Sequence, residues 1–370
     1  MKISHISSID LDAAGGGMNT VIPELMKSQI KYDSSSEVIL INLQPLKSSS
    51  YDIPVLDLNK SSVKLLLNSD VVVFHSVYRL KFIPLYLLLK INRVPYIIVS
   101  HGGLAKPAVA KGKFKKKIFK LLFLDRFVKD SAALCFTSDT EQSNSAYTKH
   151  RYITVPNPIS ITDYEPSIQR EPKEKISMIF LSKIDVYYKG LDILFDALES
   201  IKDKISGKVS FSFYGYGNSK DMDMNNIPET EKDINYMLLR INQLGMEEVS
   251  YKGPIFGNAK MEAIKNSDIY VLTSRSEAMP LSITEALSVG TPCMVSYGTN
   301  MGEMLVSSGA GWSMELNQTE IAETILKAIQ DYTDNASKYR ASARLLYEKN
   351  SSVNIGEVSI KQYKEIISKL

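Results

Sequence analysis

The chain has 370 residues, more than one ordinary domain needs, so two domains are the starting expectation. Hydrophobic content of 44% and charged content of 23% describe a globular protein with ample core. The net charge of +3 is unevenly placed: residues 1–170 hold 22 Lys+Arg against 14 Asp+Glu, and the remainder holds 22 against 27, which points to an anionic surface or substrate on the side of the first half. Cys135 and Cys293, each inside an apolar run, exclude a disulfide framework or a cysteine metal cluster and fit a reducing cytoplasm. Met1 opens straight into a strand-like run without a signal-peptide pattern, and Lys, Arg or Pro interrupts every long apolar stretch. The expectation is a protein that is soluble or peripheral to a membrane.

Residues 2–7 read as a first strand, followed by a polar loop to Gly15-Gly16-Gly17 and a helix capped by Asn19 and running to about Ile30. Three glycines let a backbone come close to a ligand at a helix start, although the full G-x-G-x-x-G spacing is lacking. Further strands are predicted at Glu37–Asn42, Val71–His75, Tyr96–Ser100 and Ala132–Thr137, with helical stretches between several of them. That alternation implies a parallel sheet with helices on both faces. Tyr96–Ser100 runs into His101-Gly102-Gly103, which puts an imidazole at a strand's carboxyl end, where it can donate or accept a hydrogen bond. His5 and His75 also fall at strand ends, without a functional assignment.

Lys111 to Lys120 places six lysines among Phe114, Ile118 and Phe119. It reads either as a solvated helix face or as a basic amphipathic surface for an anionic membrane leaflet. No nucleic-acid motif accompanies it. Val155-Pro156-Asn157-Pro158 is an extended connector, and residues 162–174 form the linker. The alternation then restarts with a strand at Ile176–Leu181 and a helix from Lys189 to Glu199. Lys183 and Lys189 stand between them, where cations can neutralise a diphosphate. A strand at Val209–Tyr214 ends in Gly215-Tyr216-Gly217, and the polar residues 218–235 exceed a usual connection.

The chain is organised around Ser274 to Ser296, which follows a strand-like run, Asp268–Thr273. Pro280 and Ser282 are helix-start signals and Gly290 a stop. Glu277 then lies in the loop after a strand, and Glu285 about a turn into the next helix, leaning back toward the same crevice. Ionised carboxylates accept hydrogen bonds from both hydroxyls of a diol, while the N–H groups of the helix start favour phosphate. A nucleotide sugar meets both demands.

Ser-Glu277-Ala278-Met279-Pro280-Leu281 followed by Glu285-Ala-Leu-x-x-Gly-Thr-Pro resembles the E-x7-E signature of retaining, nucleotide-sugar-dependent glycosyltransferases of family-4 type, with the GT-B fold. The resemblance implies two Rossmann-like, doubly wound α/β domains with parallel sheets, facing a central cleft. The expected bounds are an acceptor-binding domain over 1–160, a nucleotide-sugar-binding domain over 161–350, and a helix in 351–370 that crosses back to the first. By the same resemblance Glu277 contacts donor-sugar hydroxyls, Glu285 the ribose, and His101 the sugar as a residue needed for transfer. The Gly15–Gly17 loop lies beside the donor phosphates. Tyr187-Tyr188-Lys189-Gly190-Leu191 matches the family's Lys-Gly, and Ser182-Lys183 departs from its Gly-Arg, since lysine lacks the bidentate fork. Ile255 falls where a backbone meets the nucleobase, and Ala278, Met279, Pro280 and Leu281 line the donor. No Asp-x-Asp or His/Cys cluster is present, so no metal and no cofactor is expected beyond the donor itself, a UDP-sugar first of all. The implied activity is hexosyl transfer to a glycan or polyprenyl-diphosphate-linked acceptor, in O-antigen, capsule or other surface polysaccharide synthesis. It would take place in the cytoplasm or at the cytoplasmic face of the inner membrane. A nucleotide-sugar epimerase and a non-catalytic GT-B subunit are the alternatives.

Overall fold

The computed structural model describes residues 1–11, 17–48, 51–110, 118–159, 164–169, 175–218 and 227–370. Gly15, Gly16 and Lys111–Lys117 therefore lie outside the described residues. The chain divides into two units, Met1–Ser160 with Val353–Leu370, and Ile161–Ser352.

In the first unit the strands are β1 (Lys2–Ser7), β2 (Glu37–Asn42), β3 (Val55–Asp57), β4 (Val71–His75), β5 (Tyr96–Val99), β6 (Ala133–Phe136) and β7 (Tyr152–Thr154). They pair in parallel in the order β3-β2-β1-β4-β5-β6-β7. Both faces of a parallel sheet need cover, and the sequence supplies apolar side chains to each. Ile3, Leu40, Val71, Val73, Val99 and Cys135 point to one face, under the helices Gly17–Tyr32 and Ile355–Ile367. Ile6, Ile41, Val72, Phe74, Ile98 and Leu134 point to the other, against Phe82, Leu85 and Leu89 of the helix Phe82–Ile91 and the ring of Phe127. The C-terminal helix contributes Ile355, Ile360, Tyr363 and Ile366 to the first of these cores.

In the second unit the strands are β8 (Ile176–Leu181), β9 (Val209–Tyr214), β10 (Val249–Tyr251), β11 (Ile269–Leu272), β12 (Cys293–Ser296) and β13 (Gly311–Met314), in the parallel order β10-β9-β8-β11-β12-β13. The helix Leu191–Ile205 buries Leu191, Leu194, Phe195, Leu198 and Ile201 on one stripe, and Phe195 stacks on Phe213 of β9 at 5.2 Å. Each sheet is doubly wound, and its strand order reverses once, at β1/β4 and at β8/β11. Ligands of open α/β sheets bind outside the carboxyl ends of the strands at such points.

Several local expectations are corrected. The first helix spans Gly17–Tyr32, so Asn19 sits inside its first turn instead of capping it. Edge strands β3, β7 and β13 were not expected. The helix Lys232–Leu244 begins within the long polar connection, whose residues 219–226 are outside the described set. Among the described residues no helix is long and apolar enough to cross a membrane.

Candidate functional site

At the β8/β11 switch point two loops are fastened together. Glu277 follows β11; its backbone N–H donates to the Gly298 carbonyl at 2.8 Å, and the Asn300 amide donates to its own carbonyl at 2.7 Å. Its carboxylate pairs with the Lys189 ammonium and accepts from Ser274 Oγ at 2.8 Å. Lys189 comes from the turn between β8 and the helix Leu191–Ile205. Gly190 makes that approach feasible: its φ is +64°, and a Cβ there would lie 2.2 Å from the Thr273 carbonyl. Thr273 Oγ1 in turn donates to the Lys189 carbonyl at 2.9 Å. Arg275 braces the same turn, with a bidentate pair to Asp192 at 2.8 and 2.7 Å and its guanidinium 4.4 Å from the centre of the Tyr187 ring.

Pro280 is the N-cap of the helix Leu281–Ser288 and offers no side-chain acceptor to its first N–H groups. Glu285 lies one turn in, where Lys260 Nζ of the helix Gly257–Asn266 donates to it at 2.5 Å. Ile255 is partly buried in the loop entering that helix, and Ala278 and Met279 are partly buried in the loop before Pro280. Lys183 is exposed in the loop after β8.

In the first unit the β1/β4 switch point holds a file of imidazoles. His101, beyond the end of β5, has φ +47°, a left-handed conformation that costs a non-glycine residue on the order of 1 kcal/mol. Its Nε2 is 2.9 Å from His75 Nδ1, His75 Nε2 is 2.8 Å from His5 Nδ1, and His5 Nε2 is 2.9 Å from Gln29 Oε1. Burial pushes His5 and His101 down to about 4 and His75 well below its ordinary value, so all three rings are neutral at pH 7. The buried carboxylate of Glu141 holds the same loop, accepting from Thr137 N at 2.7 Å, Thr137 Oγ1 at 2.8 Å, and Gly102 N and Ser100 Oγ at 3.2 Å. Desolvation raises the Glu141 pKa, against the lowering effect of these donors.

Residues 163–345 match the family described as Glycosyl transferases group 1. The chain carries a Glycosyl transferases group 1 domain. An uncharacterized glycosyltransferase of Methanocaldococcus jannaschii is 24% identical to the chain over 204 residues, 55% of this chain and 48% of that protein. The chain spans about half the length of the curated relatives it matches. Two solved structures align over the whole chain. A glycosyltransferase from Rickettsia africae ESF-5 has TM-score 0.69 and 17% identity, covering 99% of this chain and 98% of that one. HepE of Anabaena, solved in complex with UDP and glucose, has TM-score 0.69 and 18% identity, covering 100% of both chains. At these identities the likeness shows the fold, which is GT-B.

The group 1 domain thus brings Glu277 into contact with Lys189 and sets Glu285 on the next helix. Lys183 has no hydrogen-bond or ion-pair partner among the described residues. Gly17 opens the first helix of the other unit, and among the described residues beyond its own turn no atom lies within 4 Å of where its Cβ would stand. Sequence reading missed Arg275, Asp192 and Lys260 around the glutamates, and His5, His75, Gln29 and Glu141 around His101. Arg275 and Asp192 are 83 positions apart, so only the fold pairs them.

Proposed function

We propose that the chain is a retaining, metal-independent glycosyltransferase. It moves a sugar from a nucleotide-sugar donor, a UDP-sugar first of all, to a hydroxyl of a glycan or polyprenyl-diphosphate-linked acceptor in surface polysaccharide synthesis. The Lys189–Glu277 pair at the switch point, with Glu285 one turn into the following helix, is the observation that carries the reading. A cation beside a carboxylate is what a diphosphate sugar requires, and the uncapped N–H groups at the start of Leu281–Ser288 add favourable dipoles. UDP and glucose in the Anabaena structure support the choice of donor.

In this reading Lys189 and Lys183 take the diphosphate, and Glu277 accepts hydrogen bonds from sugar hydroxyls. Glu285 leaves Lys260 for the ribose, and His101 meets the sugar. The bond from the anomeric carbon to the phosphate oxygen breaks as the acceptor oxygen bonds to the same face. The acceptor's proton passes to the departing phosphate oxygen. Lys189 and Lys183 supply the charge that a metal ion supplies elsewhere. Leu121 and Leu122, 71% and 68% exposed, continue the lysine-rich stretch and favour docking on an anionic inner leaflet at the cytoplasmic face.

The test is thermal stabilisation by UDP-, GDP-, ADP- and CMP-sugars with and without EDTA, followed by the anomeric configuration of the product by NMR. One nucleotide at a hundred times its Kd is expected to stabilise the fold by about 3 kcal/mol, independently of EDTA, with the effect lost in Glu285→Ala. An inverted product overturns retention. No stabilisation by any donor overturns the enzyme reading in favour of a partner-binding GT-B subunit.

A further inference from the structure

The file of histidines does not end at the sheet. Gln29 Nε2 donates to Ser359 Oγ at 3.1 Å, and Ser359 Oγ donates to the Gly356 carbonyl at 3.1 Å. Ser359 lies on the helix Ile355–Ile367, 330 positions from Gln29. Gly356 permits this closeness, since a Cβ there would stand 2.0 Å from the Ser28 carbonyl. Ser359, Gln29 and His5 have no exposed surface and His75 has 1%, so water cannot replace any link from Ser359 to His75.

The direction of the chain follows from its far end. The Ser359 hydroxyl spends its single proton on Gly356 and must accept from Gln29. The NH2 of Gln29 therefore faces Ser359, and its carbonyl faces His5. His5 then carries its proton on Nε2 and accepts at Nδ1 from His75 Nε2–H. His75 accepts at Nδ1 from His101 Nε2–H. The reverse order needs a flipped Gln29 and a Ser359 that abandons Gly356. We propose that Ser359, Gln29, His5 and His75 are positioning residues that keep the proton of His101 on Nε2, leaving its Nδ1 lone pair to accept a hydrogen bond from a sugar hydroxyl. Nδ1 of His101 has no hydrogen-bond partner among the described residues. The role assigned to the sugar rests on the transferase reading; the tautomer does not. Which nitrogen of an imidazole is protonated is set by the bond that the other one makes.

The experiment is ring 15N NMR of histidine-labelled full-length protein, with transfer kinetics beside it. In the wild type, His5, His75 and His101 are expected as single neutral tautomers protonated on Nε2. Gln29→Leu is expected to mix the tautomers of His101 and to lower kcat about tenfold with little change in donor KM, the size of one net hydrogen bond. Gln29→Glu keeps an acceptor toward His5 and is expected to restore both the tautomer and kcat. Ser359→Ala, which unlocks the Gln29 amide while leaving the apolar packing, is expected to give two sets of His101 signals even if Gln29→Leu fails to fold. An Nδ1-protonated His101 in the wild type overturns the proposal. So does a tautomer unchanged in both Gln29→Leu and Ser359→Ala, or a kcat loss that Gln29→Glu does not rescue. A wild type that transfers no sugar overturns the transferase reading alone, since the ring signals still decide the direction of the chain.

Discussion

Lys189 and Glu277 hold each other with side chains 17% and 21% exposed, too little room to let either wander. Glu277→Gln keeps the Ser274 contact but forfeits the charge to which the proposed function assigns the sugar hydroxyls. Transfer is expected to fall by about 100-fold or more, a loss typical of removing one aligned polar group from a site. The urea midpoint is expected to fall modestly, for a loss of about 1–3 kcal/mol, because the change leaves the mostly buried Lys189 ammonium without its counter-charge. Unchanged kcat would remove Glu277 from the reaction. The histidine file gives a second expectation. Unfolded His5, His75 and His101 take up protons near pH 6.5, whereas the folded rings resist until about pH 4 or below. The unfolded state thus binds more protons in that window, so their contribution is complete above pH 6.5 and is lost as pH falls toward 4, on the order of 3 kcal/mol for a fully buried ring such as His5. Glu141, with its raised pKa, acts in the opposite direction, one group against three. A urea midpoint that stays level from pH 7 to pH 4.5 would contradict this. The two glutamates were legible because they sit in one short stretch with helix signals between them. Gln29 and Ser359 were not, since a polar residue on the buried stripe of a helix leaves no local sign of a partner 330 positions away.

The turn that carries Lys189 depends on a single missing methyl. Gly190→Ala adds a Cβ 2.2 Å from the Thr273 carbonyl at a left-handed φ, so the turn has to open and withdraw Lys189 from Glu277. A loss of about 3 kcal/mol is expected, combining the conformational cost with the clash, together with weaker donor binding. Denaturation and donor titration check the two separately; an unshifted midpoint would mean that the turn is not close-packed. Long central strands announced themselves as apolar runs, Val71–His75 being buried throughout. The edge strands β3 and β7 have three residues each, and β3 is half exposed, so neither apolar content nor alternation marks them. Short edges are also what prevents one sheet from pairing with another.

Neither unit corresponds to a simple half of the chain. The first is closed by residues 353–370, whose Ile360 is fully buried among Ile22, Leu25 and Met26 or their neighbours in one core. Ile360→Ala is expected to cost about 2–4 kcal/mol, and the loss belongs to the first unit alone. Hydrogen exchange should therefore quicken in β1 and the helix Gly17–Tyr32 and stay unchanged in β11 and the helix Leu281–Ser288. Equal quickening in both units would contradict that division. The parallel order of each sheet was legible from the alternation of strands and helices. The dependence of His101 on the last helix was not, because no pattern within the helix names the sheet it will cover. The close approach of Gly356 to Ser28 has a consequence for synthesis. At roughly 5–20 residues per second, about 200 further residues must leave the ribosome after β7 before that helix exists, an interval on the order of 10–40 s. During that interval Ile22, Leu25 and the amide of Gln29 have no cover, while residues 161–352 already possess every strand of their own sheet. The group 1 domain can therefore be complete before the nascent first unit can, and the emergence of the helix Ile355–Ile367 is what completes the histidine file.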